Sequence, residues 1–428
     1  MVSFATKSMK GGGMKAYFGD IVFTKDKDEF SIFDNSYILV EDGKVKGIVK
    51  DRPSCPVEDY SGKLIIPAFS DIHLHAPQHP NEGLGYDVPL LPWLNKYTFP
   101  TEAKYKDTAF SELIYRDFVE KLWLNGITRS VVFSSLHEDS TELLFDLFKK
   151  SGLYAYIGKV NMDRNSIDVL NESEEDSIAI SRRIIKRHIG EDKVKPIITP
   201  RFVPSCTNKL MEDLQDLIKE TDLPVQSHLS ENPGEIAWVK ELHPECHNYA
   251  SVYKKYDMMG TNPTIMAHCI HCDEDEKKLL ENKNVMVAHC PTSNLNLMSG
   301  LAPIREYLER GIRVGLASDV SGGHTLNMFE IMVSAIQVSK MYGIYVDQDK
   351  APLKSQEVFY LATKGGGSFF GKVGSFEEGY EFDALVVDID PTLDTESRME
   401  KLIYLGDDRN IVERFAGGQK LSNPKEAF

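Results

Sequence analysis

Several features that mark specialised protein classes are missing from this sequence. It contains 6 cysteines in 428 residues, too few for a disulfide framework, so a reducing compartment is expected. No apolar run reaches the length needed to cross a membrane, and no apolar stretch behind the first lysines marks a secretory signal. We therefore expect a cytoplasmic protein that has no membrane partner.

Clustered positive charge is also missing. The chain carries 49 Lys and Arg against 65 Asp and Glu, a net charge of −16, and it has no block rich in Lys or Arg. Nucleic-acid binding normally needs a clustered basic face, so a nucleic-acid partner is not expected. Glycine-rich loops of the GxGxxG and Walker types are absent as well, which leaves a nucleotide cofactor without support.

What is present is an alternation of strand-like and helix-like patterns. Strand-like runs alternate with amphipathic patterns such as SELIYRDFVEKLWLNG and LMEDLQDLIKE. The successive runs are RSVVFSS, YAYIGKVN, VKPIITPRF, PVQSHLSE, PTIMAHC, NVMVAHCP and RVGLASD. Such alternation over about 300 residues predicts an α/β fold with a parallel sheet, and eight units would close into a (β/α)8 TIM-like barrel.

The two ends of the chain share a different pattern. Residues 1–13 end in three glycines and look like a flexible lead, with folded sequence expected from Met14. Alternating strand patterns then occur in MKAYFGDIVFT and SYILVEDGKVKGIVKD, and they return in GSFEEGYEFDALVVDID and NIVERFAGGQKL. We predict that residues 1–65 and 377–428 pair into a small accessory β-sandwich beside a barrel of residues 66–376.

The stretch PAFSDIHLHAPQ carries the first candidate site residues. The apolar run of residues 64–67 is predicted to lead into a buried strand that contains His73 and His75. Residues two apart on a strand point to the same face, so both imidazoles can reach one metal ion. Taken alone, a His-x-His pair is more often found on a solvated edge.

Three later residues strengthen the metal interpretation. His228, His268 and Asp319 each follow a strand-like run, at the end where a barrel of this kind builds its active site. Each alone could be a capping or hydrogen-bonded polar residue. Together with His73 and His75 they form a set of imidazole and carboxylate groups that suits zinc or ferrous iron.

The order DIHLH, HLSE, a later histidine and LASD resembles the amidohydrolase superfamily, over roughly residues 64–388. In that superfamily the branch with two metals has a lysine at the end of the fourth strand. Here VKPIITPRF has Lys195 at its beginning and Arg201 at its end, so the resemblance implies one divalent ion. We expect zinc, with iron as the alternative. The implied ligands are His73, His75, His228 and Asp319, with a water in the fifth position.

The resemblance also implies roles for the remaining polar residues. Asp319 would take the proton of the water, Glu231 would carry a proton to the substrate, and His268 would orient the attacking oxygen. On local sequence alone, Glu231 could equally be a first-turn helix residue that supports the helix dipole. His271 and His289 are expected only to support the ligands from behind.

The segments HAPQHPNEGLGYDVPLLPWLNKYTFP, TPRF, QSHLSEN and AHCPTSNL further resemble the superfamily members that deaminate guanine. The fork of donors on Arg suits the acceptors of a purine, and the amide of Gln both donates and accepts. Trp93 and Leu94 would form an apolar wall, although Trp93 could also be plain core. The implied substrate residues are Gln78, Trp93, Leu94, Arg201, Phe202, His228, Glu231 and Asp319.

The expected activity is hydrolytic deamination of guanine to xanthine and ammonia. The alternative is another deaminase or chlorohydrolase of this superfamily that acts on a different purine, pyrimidine or triazine, because fold alone does not decide the substrate. A non-catalytic scaffold protein would be expected to lose metal ligands.

The pair Cys269 and Cys272 is interpreted as packed thiols, with a metal or redox use as the alternative. Large loop surfaces favour a homodimer.

Overall fold

The computed structural model describes residues 13–428. Residues 1–12, most of the predicted lead, lie outside that range, and the first strand begins at Lys15, next to the predicted start at Met14. The described strands are β1 Lys15–Phe23, β2 Ser31–Glu41, β3 Lys44–Val49, β4 Val57–Pro67, β5 Phe69–His75, β6 Ile127–Phe133, β7 Tyr154–Gly158, β8 Val160–Asn161, β9 Val194–Pro196, β10 Thr199–Pro200, β11 Val225–Leu229, β12 Thr264–His268, β13 Val285–His289, β14 Arg313–Leu316, β15 Ala384–Val387, β16 Ile411–Ala416 and β17 Gln419–Lys420.

Helices separate most of the strands after β5. They are α1 Leu90–Trp93, α2 Phe99–Glu102, α3 Thr108–Leu124, α4 Glu138–Ser151, α5 Glu174–His188, α6 Asn208–Thr221, α7 Pro233–Leu242, α8 Tyr249–Lys255, α9 Glu274–Leu280, α10 Pro291–Asn296, α11 Ile304–Glu309, α12 Met328–Tyr345, α13 Ser355–Tyr360 and α14 Thr395–Leu405. None of these described helices combines the length and the apolarity that crossing a membrane requires.

Parallel strands form the body of the molecule, in two sheets of order β5-β6-β7-β9 and β11-β12-β13-β14. Ile198 pairs with Val225 in a parallel bridge between the two sheets. Near the opposite edges, the Asp319 N–H donates to the His73 carbonyl at 2.9 Å. The predicted alternation of helix and parallel strand is therefore confirmed, and the carboxyl ends of β5, β11, β12 and β14 meet on one side.

Burial explains why these segments are strands and helices. All residues of β12 and β13 are buried, as expected for parallel strands that are covered on both faces. Helix α6 instead buries one stripe, which includes Leu210, Leu214 and Leu217, and Thr207 caps its first turn through a bond from the Leu210 N–H. The strands thus form the inner layer and helices such as α6 lie outside it.

Both ends of the chain contribute to one mixed sheet, which among the described strands has the order β17-β16-β15-β4-β1-β2-β3. Strand β4 runs antiparallel to β15, with Leu64 opposite Val387. Asp42 and Gly43 form the turn between β2 and β3 with φ of 51° and 76°, the positive values that a tight hairpin needs. Strands from both ends of the chain therefore lie in one sheet.

One detail of the sequence interpretation is wrong. Residues 64–67 do not lead into the strand that carries the histidines; they belong to β4 of the mixed sheet, and β5 starts separately at Phe69. Where the chain passes from the mixed sheet into the parallel sheet, the Ala68 N–H donates to the Asp383 carbonyl at 3.1 Å, and the Phe69 N–H donates to the Gly126 carbonyl at 3.1 Å. A change of hydrogen-bonding partner inside one apolar run leaves no pattern in the sequence.

A buried arginine joins the mixed sheet to the parallel strands. Arg129 of β6 donates from Nε to Asp383 at 2.6 Å, and it also contacts Glu381. Its guanidinium carbon lies 3.9 Å from the centre of the Tyr154 ring. The pairing satisfies a charge that would otherwise be costly to bury.

Candidate active site

Four residues form a compact group at the carboxyl ends of the strands, called here the His/Asp cluster: His73, His75, His228 and Asp319. His75 is the last residue of β5, and His73 lies two residues before it. His228 is one residue before the end of β11, and Asp319 lies three residues after the end of β14. His73, His75 and Asp319 are buried, and His228 is half-buried. The structure therefore brings together all four residues expected to bind a metal.

Distances within the His/Asp cluster are short. The Nε2 atoms of His73 and His75 lie 3.2 Å and 3.5 Å from Asp319 Oδ1. The Nε2 atoms of His75 and His228 are 3.2 Å apart. Ligand atoms of the three histidines all lie within 4.8 Å of one another, a spacing that allows one ion to contact each of them.

The chemistry of these nitrogens fits a cation. His228 Nδ1 lies 2.6 Å from the Arg201 carbonyl, which only accepts, so Nδ1 carries the proton and Nε2 presents a lone pair. Within residues 13–428 neither ring nitrogen of His73 has a hydrogen-bond partner, although both are buried. Unpaired buried polar atoms are costly, and a divalent ion would satisfy the nitrogens that face Asp319.

The protonation states agree with that fit. Burial, with nearby His73, holds the pKa values of His75 and His228 well below the ordinary range. Burial by itself would raise the pKa of Asp319, but the nearby imidazole of His73 lowers it to about 2. Neutral imidazoles and an ionised carboxylate are the forms that bind a metal ion.

His268 lies beside the cluster at the end of β12. Its Nδ1 lies 2.9 Å from Asn294 Oδ1, so it donates there and its Nε2 faces the site. That Nε2 is 3.4 Å from Glu231 Oε2 and 3.8 Å from Asp319 Oδ2. Burial lowers the pKa of His268, but the two carboxylates outweigh burial and raise it.

Glu231 is held by hydrogen bonds with Ser299 and Glu235. Its Oε1 accepts from Ser299 Oγ at 2.9 Å, and its own N–H donates to Glu235 Oε2 at 3.1 Å. Glu235 in turn accepts from the Tyr249 hydroxyl at 2.7 Å. Burial raises the pKa of Glu231 to about 7. A carboxyl group with this pKa can both accept and release a proton near neutral pH.

The helix interpretation of Glu231 is wrong. Helix α7 begins at Pro233 and is capped by Asn232, and the acidic residue of its first turn is Glu235. Glu231 lies between the end of β11 and the helix cap Asn232. It therefore cannot act as the first-turn residue.

A cavity borders the cluster. The residues expected to bind substrate, called here the recognition wall, are Gln78, Trp93, Leu94, Arg201 and Phe202, and all of them line this cavity together with His75, His228, Glu231, His268 and Asp319. Trp93 is also packed against Leu90 and Leu297, and its Nε1 donates to the Leu84 carbonyl at 2.9 Å. Both interpretations of Trp93, as cavity wall and as core, thus describe its position.

Sequence reasoning missed three buried carboxylates around the site. Glu102 contacts Gln78 and Arg201, and Glu235 holds the backbone of Glu231. Asp71 accepts from the N–H groups of His73 and Ser318 at 3.3 Å and 3.1 Å, and so links β5 to the segment after β14. Of the three, only Asp71 could have been found from the sequence, because it lies two residues before His73 on the same strand and therefore points to the same face.

The remaining histidines lie behind the site. His271 donates from Nε2 to the Ser299 carbonyl at 2.6 Å, next to the residue that contacts Glu231. His289 ends β13, and burial lowers its pKa to about 3. Their supporting roles stay predictions.

The cysteines are mostly buried. Cys269 and Cys272 are free, and burial raises the pKa of Cys269, which is the state of an unreactive thiol. Cys290 was not expected at the site, yet its sulfur lies within 4.8 Å of ligand atoms of His73, His268 and Asp319.

Comparison with known proteins gives concordant results. A sequence model described as the amidohydrolase family matches residues 64–421. The chain is 40% identical to guanine deaminase of Dictyostelium discoideum over 85% of this chain and 84% of that protein. It is 34% identical to guanine deaminase of Escherichia coli K12 over 95% and 96% of the two chains. A crystal structure of guanine deaminase from C. acetobutylicum with bound guanine superposes with a TM-score of 0.94, at 47% identity, over 96% of this chain and all of that chain.

Proposed function

The chain belongs to the amidohydrolase family, and from that premise we propose that it deaminates guanine hydrolytically to xanthine and ammonia. The observation that carries the proposal is the buried His/Asp cluster, which opens onto a cavity lined by Arg201 and Gln78. Similarity to guanine deaminases over most of the chain, including one with guanine in its active site, supports the same substrate.

The proposed cofactor is one divalent metal ion held by the His/Asp cluster. Three imidazoles and one carboxylate suit zinc, with ferrous iron as the alternative. Lys195, in the short strand β9, is half-buried with its ammonium 5.9 Å from the Tyr156 ring, which supports a single ion without a lysine bridge. When bound, such an ion lowers the pKa of a water from about 15.7 to about 7 and supplies hydroxide at neutral pH.

Asp319 and His268 are proposed to prepare the attacking water. Asp319, ionised because its pKa is held at about 2, accepts a hydrogen bond from the water and takes its proton. His268 is fixed by Asn294 and points Nε2 into the site, where it orients the water oxygen. Both side chains act from fixed positions, which reduces the reorganisation needed during the reaction.

Glu231 is proposed to move the second proton. In its protonated form it donates to the ring nitrogen next to the carbon that bears the exocyclic amine, while the water oxygen bonds to that carbon. The proton that Asp319 took from the water then passes through Glu231 to the amine, the carbon–nitrogen bond breaks, and ammonia leaves. The remaining proton on the added oxygen returns to Glu231 as the carbonyl of xanthine forms. A pKa of about 7 suits a group that must gain and lose a proton in one cycle.

The recognition wall is proposed to hold the purine. Arg201 and Gln78 supply the polar contacts at one end of the cavity. Phe202, Trp93 and Leu94 supply apolar surface against the rings. Polar groups at one end and apolar surface along the side are the usual composition of a small-molecule site.

The architecture proposed for this site is a closed (β/α)8 barrel of residues 66–376. Two backbone contacts support closure at both edges of the two parallel sheets. They are the parallel bridge between Ile198 and Val225 and the hydrogen bond from the Asp319 N–H to the His73 carbonyl. Residues 1–65 and 377–428 are proposed to form the accessory β-sandwich. Its support is a separate apolar cluster that includes Val40 of β2 and Phe415 of β16, strands from distant positions in the mixed sheet.

Cellular location and assembly are further parts of the proposal. The cysteine content and the acidic charge favour the cytoplasm, and we propose a homodimer. Light scattering of the purified protein tests the dimer, since a mass near twice 48.3 kDa is expected. A mass equal to one chain would contradict it.

The deciding experiment is ammonia release by the metal-loaded protein from guanine, adenine, cytosine and their nucleosides. Release from guanine alone, lost after chelation and restored by added zinc, is the expected result. Release from another base would replace guanine by the alternative substrate and retain the metal-dependent chemistry. No release from any base, with no bound metal, would refute the proposed enzyme.

A further inference from the structure

Glu102 is a buried acidic residue to which the proposed reaction gives no role. It ends α2, is 7% exposed, and contacts both polar members of the recognition wall. Its Oε2 lies 2.5 Å from Arg201 Nη1, and its Oε1 accepts from Gln78 Nε2 at 2.9 Å. One carboxylate therefore ties together two substrate-facing side chains that are far apart in the sequence.

This contact fixes the orientation of the Gln78 amide. A carboxylate paired with a guanidinium only accepts hydrogen bonds, so the amide must turn its NH2 group toward Glu102. The amide oxygen is then the atom left for a ligand, and within residues 13–428 it has no hydrogen-bond partner. A glutamine without such a neighbour could present either end of its amide to the cavity.

The same contact orients Arg201. Its Nη1 is taken by Glu102, and its guanidinium carbon lies 5.1 Å from the centre of the Phe99 ring. Nε and Nη2 make no hydrogen bond within the part of the chain that the structure describes. Arg201 and Gln78 contact the same carboxylate and line the same cavity, so these donors and the oxygen of Gln78 give the wall a fixed pattern of one acceptor and several donors.

We propose that Glu102 is a specificity-determining positioning residue for the proposed guanine-deaminating function. The pattern it fixes complements a lactam edge, in which a ring N–H donor lies beside a carbonyl acceptor, as in guanine. It opposes an amidine edge, in which a ring nitrogen acceptor lies beside an amino donor. A ligand with the wrong edge leaves buried polar groups unpaired, which is an effective basis for rejection.

The test compares two substrates that differ in that edge. Guanine and 2,6-diaminopurine carry the same reacting amine, but the second replaces the lactam by an amidine. We expect the wild type to prefer guanine. Glu102→Gln should reduce that preference by a factor of about 10 or more, because the new amide can donate as well as accept and so allows the Gln78 amide to flip. The guanine kcat/KM should fall mainly through KM, with bound metal unchanged. Glu102→Asp keeps a group that only accepts and should restore most of the preference.

Glu357→Gln is the matched control. Glu357 is also buried and pairs with an arginine, Arg305, at 2.6 Å and 2.7 Å, but it does not line the cavity. The Glu357→Gln variant should leave the preference for guanine over 2,6-diaminopurine unchanged. A Glu102→Gln protein that loses activity but keeps the wild-type preference would overturn the inference, as would an equal loss of preference in Glu357→Gln.

A second variant covers the case in which Glu102→Gln does not fold. Gln78→Met removes the amide and leaves the pair of Glu102 and Arg201 in place, and it should lose the preference to a similar extent. Retained preference in that variant contradicts the inference. A wild-type protein that releases no ammonia from guanine would instead refute the proposed function on which the inference rests.

Discussion

The His/Asp cluster and the recognition wall border the same cavity but are built in different ways. The cluster takes its residues from the ends of parallel strands, where hydrogen bonding between neighbours fixes the backbone. Much of the wall comes instead from residues 76–106, a series of short helices and turns between β5 and α3. The comparison shows that the proposed metal ligands are positioned by the sheets, whereas Gln78 depends on a side-chain contact with Glu102.

This difference predicts that substitutions in the two regions have separable effects. Changes in the His/Asp cluster should lower both bound metal and turnover. Changes in the recognition wall should leave bound metal intact and act mainly on KM. Measuring bound metal and the kinetic constants of each variant therefore tests whether the two regions have separate effects.

The largest effect is expected for Asp319→Asn. The amide cannot take the proton of the water and is a weaker metal ligand, so kcat/KM for guanine should fall by a factor of about 10⁴ and bound metal should fall below one ion per chain. Atomic spectroscopy and steady-state kinetics measure the two quantities. Asp107→Asn, which changes the N-cap residue of α3, is the matched control and should keep full activity. Near-normal turnover in Asp319→Asn would refute the role of this residue.

Glu231→Gln should have the next largest effect. The amide keeps the size of the side chain but cannot carry a proton, so kcat should fall by a factor of about 10³. Bound metal should stay at the wild-type level, because Glu231 lies outside the His/Asp cluster. A variant that turns over at nearly the normal rate would rule out the proposed proton transfer, and a variant that loses its metal would place Glu231 in the cluster.

The regularity of the two regions also explains what could be predicted from the sequence. The alternation of strand and helix and the residues of the His/Asp cluster were visible, because strand ends in a parallel sheet meet on one side. Glu102 was not, since its partner Arg201 is 99 residues away. The division between β4 and β5 was missed because residues 64–69, which span the end of one strand and the start of the next, are all apolar.

A smaller effect is expected for Arg201→Lys in the recognition wall. Lysine keeps the charge but loses the planar fork of donors, so kcat/KM for guanine should fall by a factor of about 30 to 100, mainly through KM. Arg129→Lys is the control, because Arg129 is another buried arginine that pairs with an acidic residue, outside the cavity. It should lower thermal stability without changing KM. A loss of bound metal in Arg201→Lys would break the separation of the two regions.

The smallest effect is expected for Trp93→Leu, which tests whether this side chain acts as cavity wall or as core. Trp93 lines the cavity and also packs against Leu90 and Leu297, so the substitution should raise KM for guanine by a factor of about 10 and lower the melting temperature as well. Trp123→Leu makes the same change outside the cavity, where the ring packs under Arg414 at 4.1 Å, and should lower only the melting temperature. If both variants lost stability equally and kept the wild-type KM, Trp93 would be core alone, and the apolar part of the wall would rest on Leu94 and Phe202.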